Sequence, residues 1–194
     1  VGSMIVDIGG GTTDIAVISL SGIVRSVNLK IAGDKFNTDI IGYLRDEFKL
    51  LIGEKTAESV KIAIGSVAPG DPMEAEVRGR DLVTGLPREV VITDADIREA
   101  MGQSILGLID GIKEVLETTP PEILGDIMHR GIVLSGGGAL LHGLDVLLQN
   151  MLKIPVTVTE DPLTAVARGA GIVLEDINYY KEVLLPDYDT ERSK

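Results

Sequence analysis

Apolar positions along the chain switch between two periods, and the switches mark out its elements. Met4 to Ile8 is a short apolar run that stops at glycines, which predicts a buried strand. β-Branched residues dominate Thr13 to Leu20 and predict a second strand. Ser21-Gly22 reads as a hairpin turn into a third strand, Ile23 to Ile31. Strands joined by turns this tight run antiparallel, because a parallel return needs a long crossover.

After Ala32-Gly33-Asp34 the period lengthens. Phe36, Ile40, Ile41, Leu44 and Phe48 fall at helical spacing and predict a helix from Asp34 to Phe48. Ala57, Val60 and Ile64 repeat that spacing over Thr56 to Gly65, with Thr56 as the expected N-cap. Turn signals at Pro69-Gly70-Asp71-Pro72, Gly79 and Gly85-Leu86-Pro87 surround a predicted strand, Met73 to Arg78, whose hairpin partner is Arg88 to Ile92. Thr93-Asp94-Ala95-Asp96 opens the longest helix with a capping signature. Ile97, Met101, Ile105, Leu108, Ile112 and Leu116 form its buried stripe, and Thr119-Pro120-Pro121 ends it. A short helix follows, then a strand at Gly131 to Ser135, a Gly136-Gly137-Gly138 turn and a helix from Leu140 to Met151. A strand at Pro155 to Thr159 and a helix from Pro162 to Glu175 come last, and no period continues beyond Ile177.

Three antiparallel strands followed by αβαβ units is the layout of a ribonuclease-H-like α/β lobe. On that reading residues 1–33 and 93–180 form the lobe, 34–92 a small inserted α+β subdomain, and 181–194 a C-terminal tail.

Composition narrows the function classes. The chain has 194 residues, enough for a sizeable core, and is 44% hydrophobic but only 3% aromatic. Its core is therefore built from Val, Ile, Leu and Ala. With no Cys there are no disulfides or thiolate metal sites, which fits a reducing compartment. No apolar run approaches the roughly 20 residues that span a bilayer. A net charge of -12 argues against a nucleic-acid platform, since a polyanion needs clustered Lys and Arg. The chain opens Val1-Gly2-Ser3 directly into a strand, as a cut inside a longer protein would leave it.

Two glycine loops carry the candidate chemistry. In Asp7-Ile8-Gly9-Gly10-Gly11-Thr12-Thr13-Asp14, bare glycines let backbone N–H groups converge on phosphate oxygens, and Thr12 can add a donor. Asp7 and Asp14 would repel phosphate unless a divalent cation intervened, which suggests Mg²⁺ held through its waters. A glycine-rich hairpin with solvated acids fits the same residues. Gly136-Gly137-Gly138 lies between a strand and a helix, so it matches part of a dinucleotide fingerprint, with Glu160 near the acidic position. Leu141, however, stands where that fingerprint has its third glycine. A bare-backbone platform for a base or ribose is the alternative. His129 and His142 have no second ligand pattern and read as surface or packing residues, and no Walker motif is present.

Together these stretches resemble the actin-like ATPase superfamily, and within it the bacterial actin homologue family MreB. The narrower likeness lies in VDIGGGTTDIAVISL (6–20), GEKTAESVKIAIG (53–65), VRGRDLVTGLP (77–87), GIVLSGGGALLHG (131–143) and DPLTAVARGAG (161–171). The resemblance implies the second large lobe of an actin fold. It makes Gly9, Gly10, Gly11, Thr12 and Thr13 a second phosphate loop, with Asp7 and Asp14 near the metal. Glu58 and Lys61 become the pair bracketing ribose and base, and Gly136, Gly137 and Gly138 the adenosine loop. Both loops then serve one ATP with Mg²⁺. The family's first phosphate loop and water-orienting glutamate belong to an N-terminal half, so the resemblance implies a C-terminal half with no hydrolysis of its own. Further implied are filament formation with copies of itself, rod cell shape, cell-wall elongation adaptors, and a cytoplasmic location at the inner membrane face without insertion through this half. A DnaK-type chaperone ATPase lobe is the alternative, and a sugar or acetate kinase a third.

Overall fold

The computed structural model describes residues 2–19 and 22–180. Strands β1 (Gly2–Ile8), β2 (Thr13–Ser19) and β3 (Gly22–Leu29) form the expected antiparallel set, with Asp7 opposite Asp14 in the β1–β2 register. Leu20, Ser21 and the 181–194 tail lie outside the described residues. Strands β7 (Ile132–Ser135) and β8 (Val156–Val158) add in parallel on the far side of β1. The five-stranded order is β3-β2-β1-β7-β8.

Alternation decides which face of this sheet is buried. Met4, Val6 and Ile8 of β1 and Ile15 and Val17 of β2 are fully buried. Against that face packs α3 (Asp94–Glu117), whose predicted stripe from Ile97 to Leu116 is buried throughout. Thr93 and Asp96 close a reciprocal capping box at its start: Asp96 N–H donates to Thr93 Oγ1 at 3.3 Å, and Thr93 N–H to Asp96 Oδ2 at 2.8 Å.

Between β3 and α3 come α1 (Gly33–Glu47), β4 (Leu50–Leu51), α2 (Glu54–Ile64), β5 (Glu74–Asp81) and β6 (Pro87–Thr93). The last two strands form the predicted hairpin, and β4 joins it to make a second sheet, ordered β4-β5-β6. Phe36, Ile40 and Leu44 of α1 meet Leu50, Val77 and Ile92 in one buried cluster that continues into α3. Each such fully buried side chain contributes about 1.5–3 kcal/mol. The remaining helices are α4 (Pro121–Arg130), α5 (Leu144–Leu152) and α6 (Ala165–Glu175).

Among the boundaries that differ from expectation, three have a local cause. Helix α2 begins at Glu54 with Gly53 as its N-cap, because Ala57 N–H already bonds the Gly53 carbonyl at 3.1 Å; Thr56 lies inside the first turn. The segment predicted as helix from Leu140 instead holds a 3-10 turn at Gly137–Leu140, and α5 starts after Gly143, whose φ of +79° is left-handed. Pro162 precedes α6 in a turn in which Thr164 N–H bonds the Asp161 carbonyl at 3.2 Å.

Candidate functional site

The loop between β1 and β2 is tied down by its carbonyls and left open at its N–H groups. Gly9 N–H donates to Thr12 O at 3.0 Å, closing the turn. At the start of α1, Gly33 N–H takes the Gly9 carbonyl at 3.0 Å and Asp34 N–H takes the Gly10 carbonyl at 2.8 Å. Gly10, Gly11 and Thr12 are exposed, and their own N–H groups donate to nothing among the described residues. A Cβ at Gly10 or Gly11 would meet only the Asp34 carboxylate, at an ordinary 3.8 Å. The fold therefore does not require glycine at either position. What the missing side chains leave free is the approach to three unpaired donors, the arrangement that binds anions.

The second glycine turn divides its labour differently. Gly136, at φ +79°, would put a Cβ 2.3 Å from the Ile8 carbonyl oxygen, and Gly138 would put one 2.2 Å from Ile8 Cγ2. These two glycines allow the turn to lie on the end of β1. Gly137 is exposed, and its Cβ would meet only Leu163 Cδ2, at 3.3 Å.

Between the two loops opens a cavity of about 380 Å³, a size within the range of small-molecule sites. Gly9, Gly10, Glu58, Lys61, Gly137 and Gly138 line it, so six of the expected site residues converge. Glu58 and Lys61 share one face of α2, three residues apart. Lys61 Nζ donates to the Gly33 carbonyl at 3.0 Å. Burial pushes the Lys61 ammonium below the ordinary lysine range, while Glu58 and then Asp34 oppose that shift.

The other expected residues stand apart from the cavity lining. Thr13 is a correction for its side chain: it is fully buried and its hydroxyl donates to the Ile31 carbonyl at 2.6 Å, which turns it into the fold. Thr12 and Gly11 sit at the exposed tip of the loop. Gly136 supports the turn from beneath, with its N–H on the Pro162 carbonyl at 3.0 Å. Asp7 and Asp14 face each other across β1 and β2, a like-charge pair that costs stability when nothing lies between. Asn28 donates to Asp14 Oδ1 at 2.7 Å, whereas Asp7 Oδ1 is buried without a hydrogen-bond partner. An orphaned carboxylate oxygen opposite a second acid suits a hydrated cation. Among the described residues no group of three or more His, Cys, Asp or Glu is placed to hold a metal.

Gly33, Asp34, Phe36, Ile62, Leu140, Leu141 and Leu163 also line the cavity. Sequence spacing gives none of them a site role: Phe36 falls in the helical stripe of α1, and Leu141 only departs from the dinucleotide fingerprint. Ala32-Gly33-Asp34 signalled only a helix start, and Leu163 reaches the cavity from a turn outside both glycine loops. Phe36, Ile62, Leu140, Leu141 and Leu163 are the large apolar members of that lining.

A five-stranded sheet with this mixed order, an inserted second sheet and a cleft between two glycine loops defines an actin-like lobe. The chain matches the MreB/Mbl protein family over residues 1–182, and it belongs to that family. The cell shape-determining protein Mbl of Bacillus cereus (strain ATCC 10987 / NRS 248) is 52% identical over 178 residues, which are 91% of this chain and 54% of that protein. The crystal structure of Spiroplasma citri MreB5 bound to ADP superposes with a TM-score of 0.90 at 41% identity, covering 93% of this chain and 55% of that one. The MamK double helical filament matches with a TM-score of 0.76 at 26% identity, covering 90% of this chain and 54% of that one. The chain thus spans about half the length of the relatives it matches. These relatives bear out the family and fold implied by the sequence and lend the chaperone alternative no support. No helix among the described residues is long and apolar enough to cross a membrane.

Proposed function

We propose that the cleft is one wall of an ATP site and that this chain is the C-terminal half of an MreB-type filament protein. The carrying observation is the set of exposed, unpaired N–H groups at Gly10, Gly11 and Thr12, in a loop whose Gly9 and Gly10 share one cavity with Lys61 and Gly137. Phosphate oxygens accept from those donors, Glu58 and Lys61 bracket the ribose, and the base lies on bare backbone at Gly137. Bound ADP in the MreB5 relative supports an adenine nucleotide. Asp7 and Asp14 hold magnesium through its waters, and that cation supplies the positive charge that lets phosphates lie beside two acids.

In this reading residues 1–33 and 93–180 are the large lobe and 34–92 its inserted subdomain. The whole protein polymerises with copies of itself, as MamK does. At the inner face of the membrane it engages cell-wall elongation adaptors and directs rod shape. Hydrolysis draws on a phosphate loop and a water-orienting glutamate of the N-terminal half, because phosphoryl transfer needs donors from both walls. Calorimetric titration with Mg-ATP, beside a turnover assay on a full-length relative, tests this. Weak binding without turnover is expected, and turnover comparable to the full-length protein would overturn it.

A further inference from the structure

We propose that Ser135 is a positioning residue for the candidate cation site: its hydroxyl donates to Asp7 Oδ1 and holds that carboxylate where it shares a cation's waters with Asp14. The cation's part rests on the nucleotide reading given above, whereas the Ser135–Asp7 pair stands on the sheet alone. Asn28, Asp14, Asp7 and Ser135 follow one another in register across β3, β2, β1 and β7. Residues paired in this way put their side chains on one face of a sheet, here the face away from Met4, Val6 and Ile8. The row has a neutral residue at each end and two acids between. At one end Asn28 Nδ2 donates to Asp14 Oδ1 at 2.7 Å. At the other, Ser135 is only 6% exposed, and its Oγ is buried without a hydrogen-bond partner, as is Asp7 Oδ1. That carboxylate oxygen lies toward β7: a Cβ on Gly136, the residue after Ser135, would stand 2.9 Å from it.

An ionised carboxylate only accepts hydrogen bonds, and a hydroxyl always has a proton to give. Leaving either one buried and unpaired is costly, most of all for the charged group. Neighbouring strands lie about 4.7–4.9 Å apart. A turn of the Ser135 side chain into another staggered position therefore carries its hydroxyl to Asp7 Oδ1. The bond mirrors the one Asn28 makes to Asp14, so each acid of the row is held from its outer side. A carboxylate has about four acceptor sites, and the rest of them stay free for a cation's waters. Orienting a group that meets the cation in this way is what residues one step removed from a metal do. The competing reading makes Ser135 merely a small residue that lets the glycine turn begin. Such a residue would be as buried, but indifferent to Asp7.

A double-mutant cycle of Ser135→Ala and Asp7→Ala, melted in magnesium-free buffer, tests the pair without any ligand. Ser135→Ala should lower the melting temperature by roughly 2–10 °C when Asp7 is present, and by less or not at all in the Asp7→Ala background. Equal shifts in both backgrounds, or none in either, would overturn the pair. Titration with ATP, with and without magnesium, then reads the site. Magnesium should tighten ATP binding to the unaltered chain. Ser135→Ala should lose roughly tenfold or more of that gain, with its magnesium-free affinity unchanged. An equal loss with and without magnesium, or an unaltered chain indifferent to magnesium, would overturn the positioning role. An unaltered chain that binds no ATP defeats the reading of the cleft and the cation's part with it, while the melting cycle still decides the pair.

Discussion

Gly137→Val separates the site from the scaffold, because the three consecutive glycines answer to different constraints. At Gly137 the new Cβ meets one atom, Leu163 Cδ2 at 3.3 Å, the far end of a side chain that is 70% exposed and can turn aside. Surface changes of this kind stay within about 0.5 kcal/mol, which in a chain of this length moves the melting temperature by roughly 1–2 °C. In the cleft the same three carbons project into the space assigned to the base. Overfilling a packed contact costs about 1–3 kcal/mol, or roughly five- to 150-fold in affinity, and direct overlap with the ring abolishes binding. Gly138→Ala is the contrast, since its Cβ would stand 2.2 Å from Ile8 Cγ2 and must displace β1. The assay pairs thermal melts with ATP titration. A Gly137→Val protein that melts normally and binds ATP with unchanged affinity refutes the adenosine-loop assignment.

Two further outcomes follow from groups near the cleft and the long helix. Lys61 titrates lower in the fold than in the unfolded chain, so between its folded value and the ordinary 10.5 the unfolded chain binds more protons. Stability should therefore rise with pH through that alkaline window. Lys61→Met should flatten the rise in urea melts taken across it and weaken ATP binding; an identical slope in both proteins rules out burial of the ammonium as its cause. Thr93→Ala removes the hydroxyl that accepts from Asp96 N–H at 3.3 Å, at a cost of about 0.5–2 kcal/mol, seen as a melting temperature lower by roughly 1–8 °C. ATP affinity should not move, since Thr93 lies outside the cavity lining.

What the sequence disclosed depended on whether the signal was local. The β1–β3 strands, the stripe of α3 and both glycine turns are periodic or compositional, and the structure has them. Strand β4 is too short to show a period, and its antiparallel pairing with β5, Leu50 opposite Asp81 and Leu51 opposite Arg80, makes it a strand. The delayed start of α5 turns on the left-handed conformation of Gly143, which apolar spacing through Leu140 and Leu141 concealed. Asp34 and Leu163 enter the cavity through contacts between distant segments, so no spacing rule reaches them. Thr13 shows the reverse: the resemblance places it in the phosphate loop, yet the alternation of β2 buries its side chain along with Ile15 and Val17.

The first glycine loop is also more than a rigid cradle, because the start of α1 joins it to the inserted segment. Gly33 and Asp34 bond the carbonyls of Gly9 and Gly10, and the Gly33 carbonyl in turn accepts from Lys61 on α2. A ligand drawing on the loop's N–H groups pulls on peptide units whose opposite ends are held by α1, and hydrogen bonds chained in this way polarise one another. The contacts between α1 and the long helix α3 anchor that chain to the large sheet. The first glycine loop and α2 are thus joined by hydrogen bonds through Gly33, with Asp34 a second tie to the loop. Of these, Gly33 has a structural reason to be glycine, since a Cβ there would crowd both the Gly9 carbonyl oxygen and Lys61 Nζ at 3.3 Å.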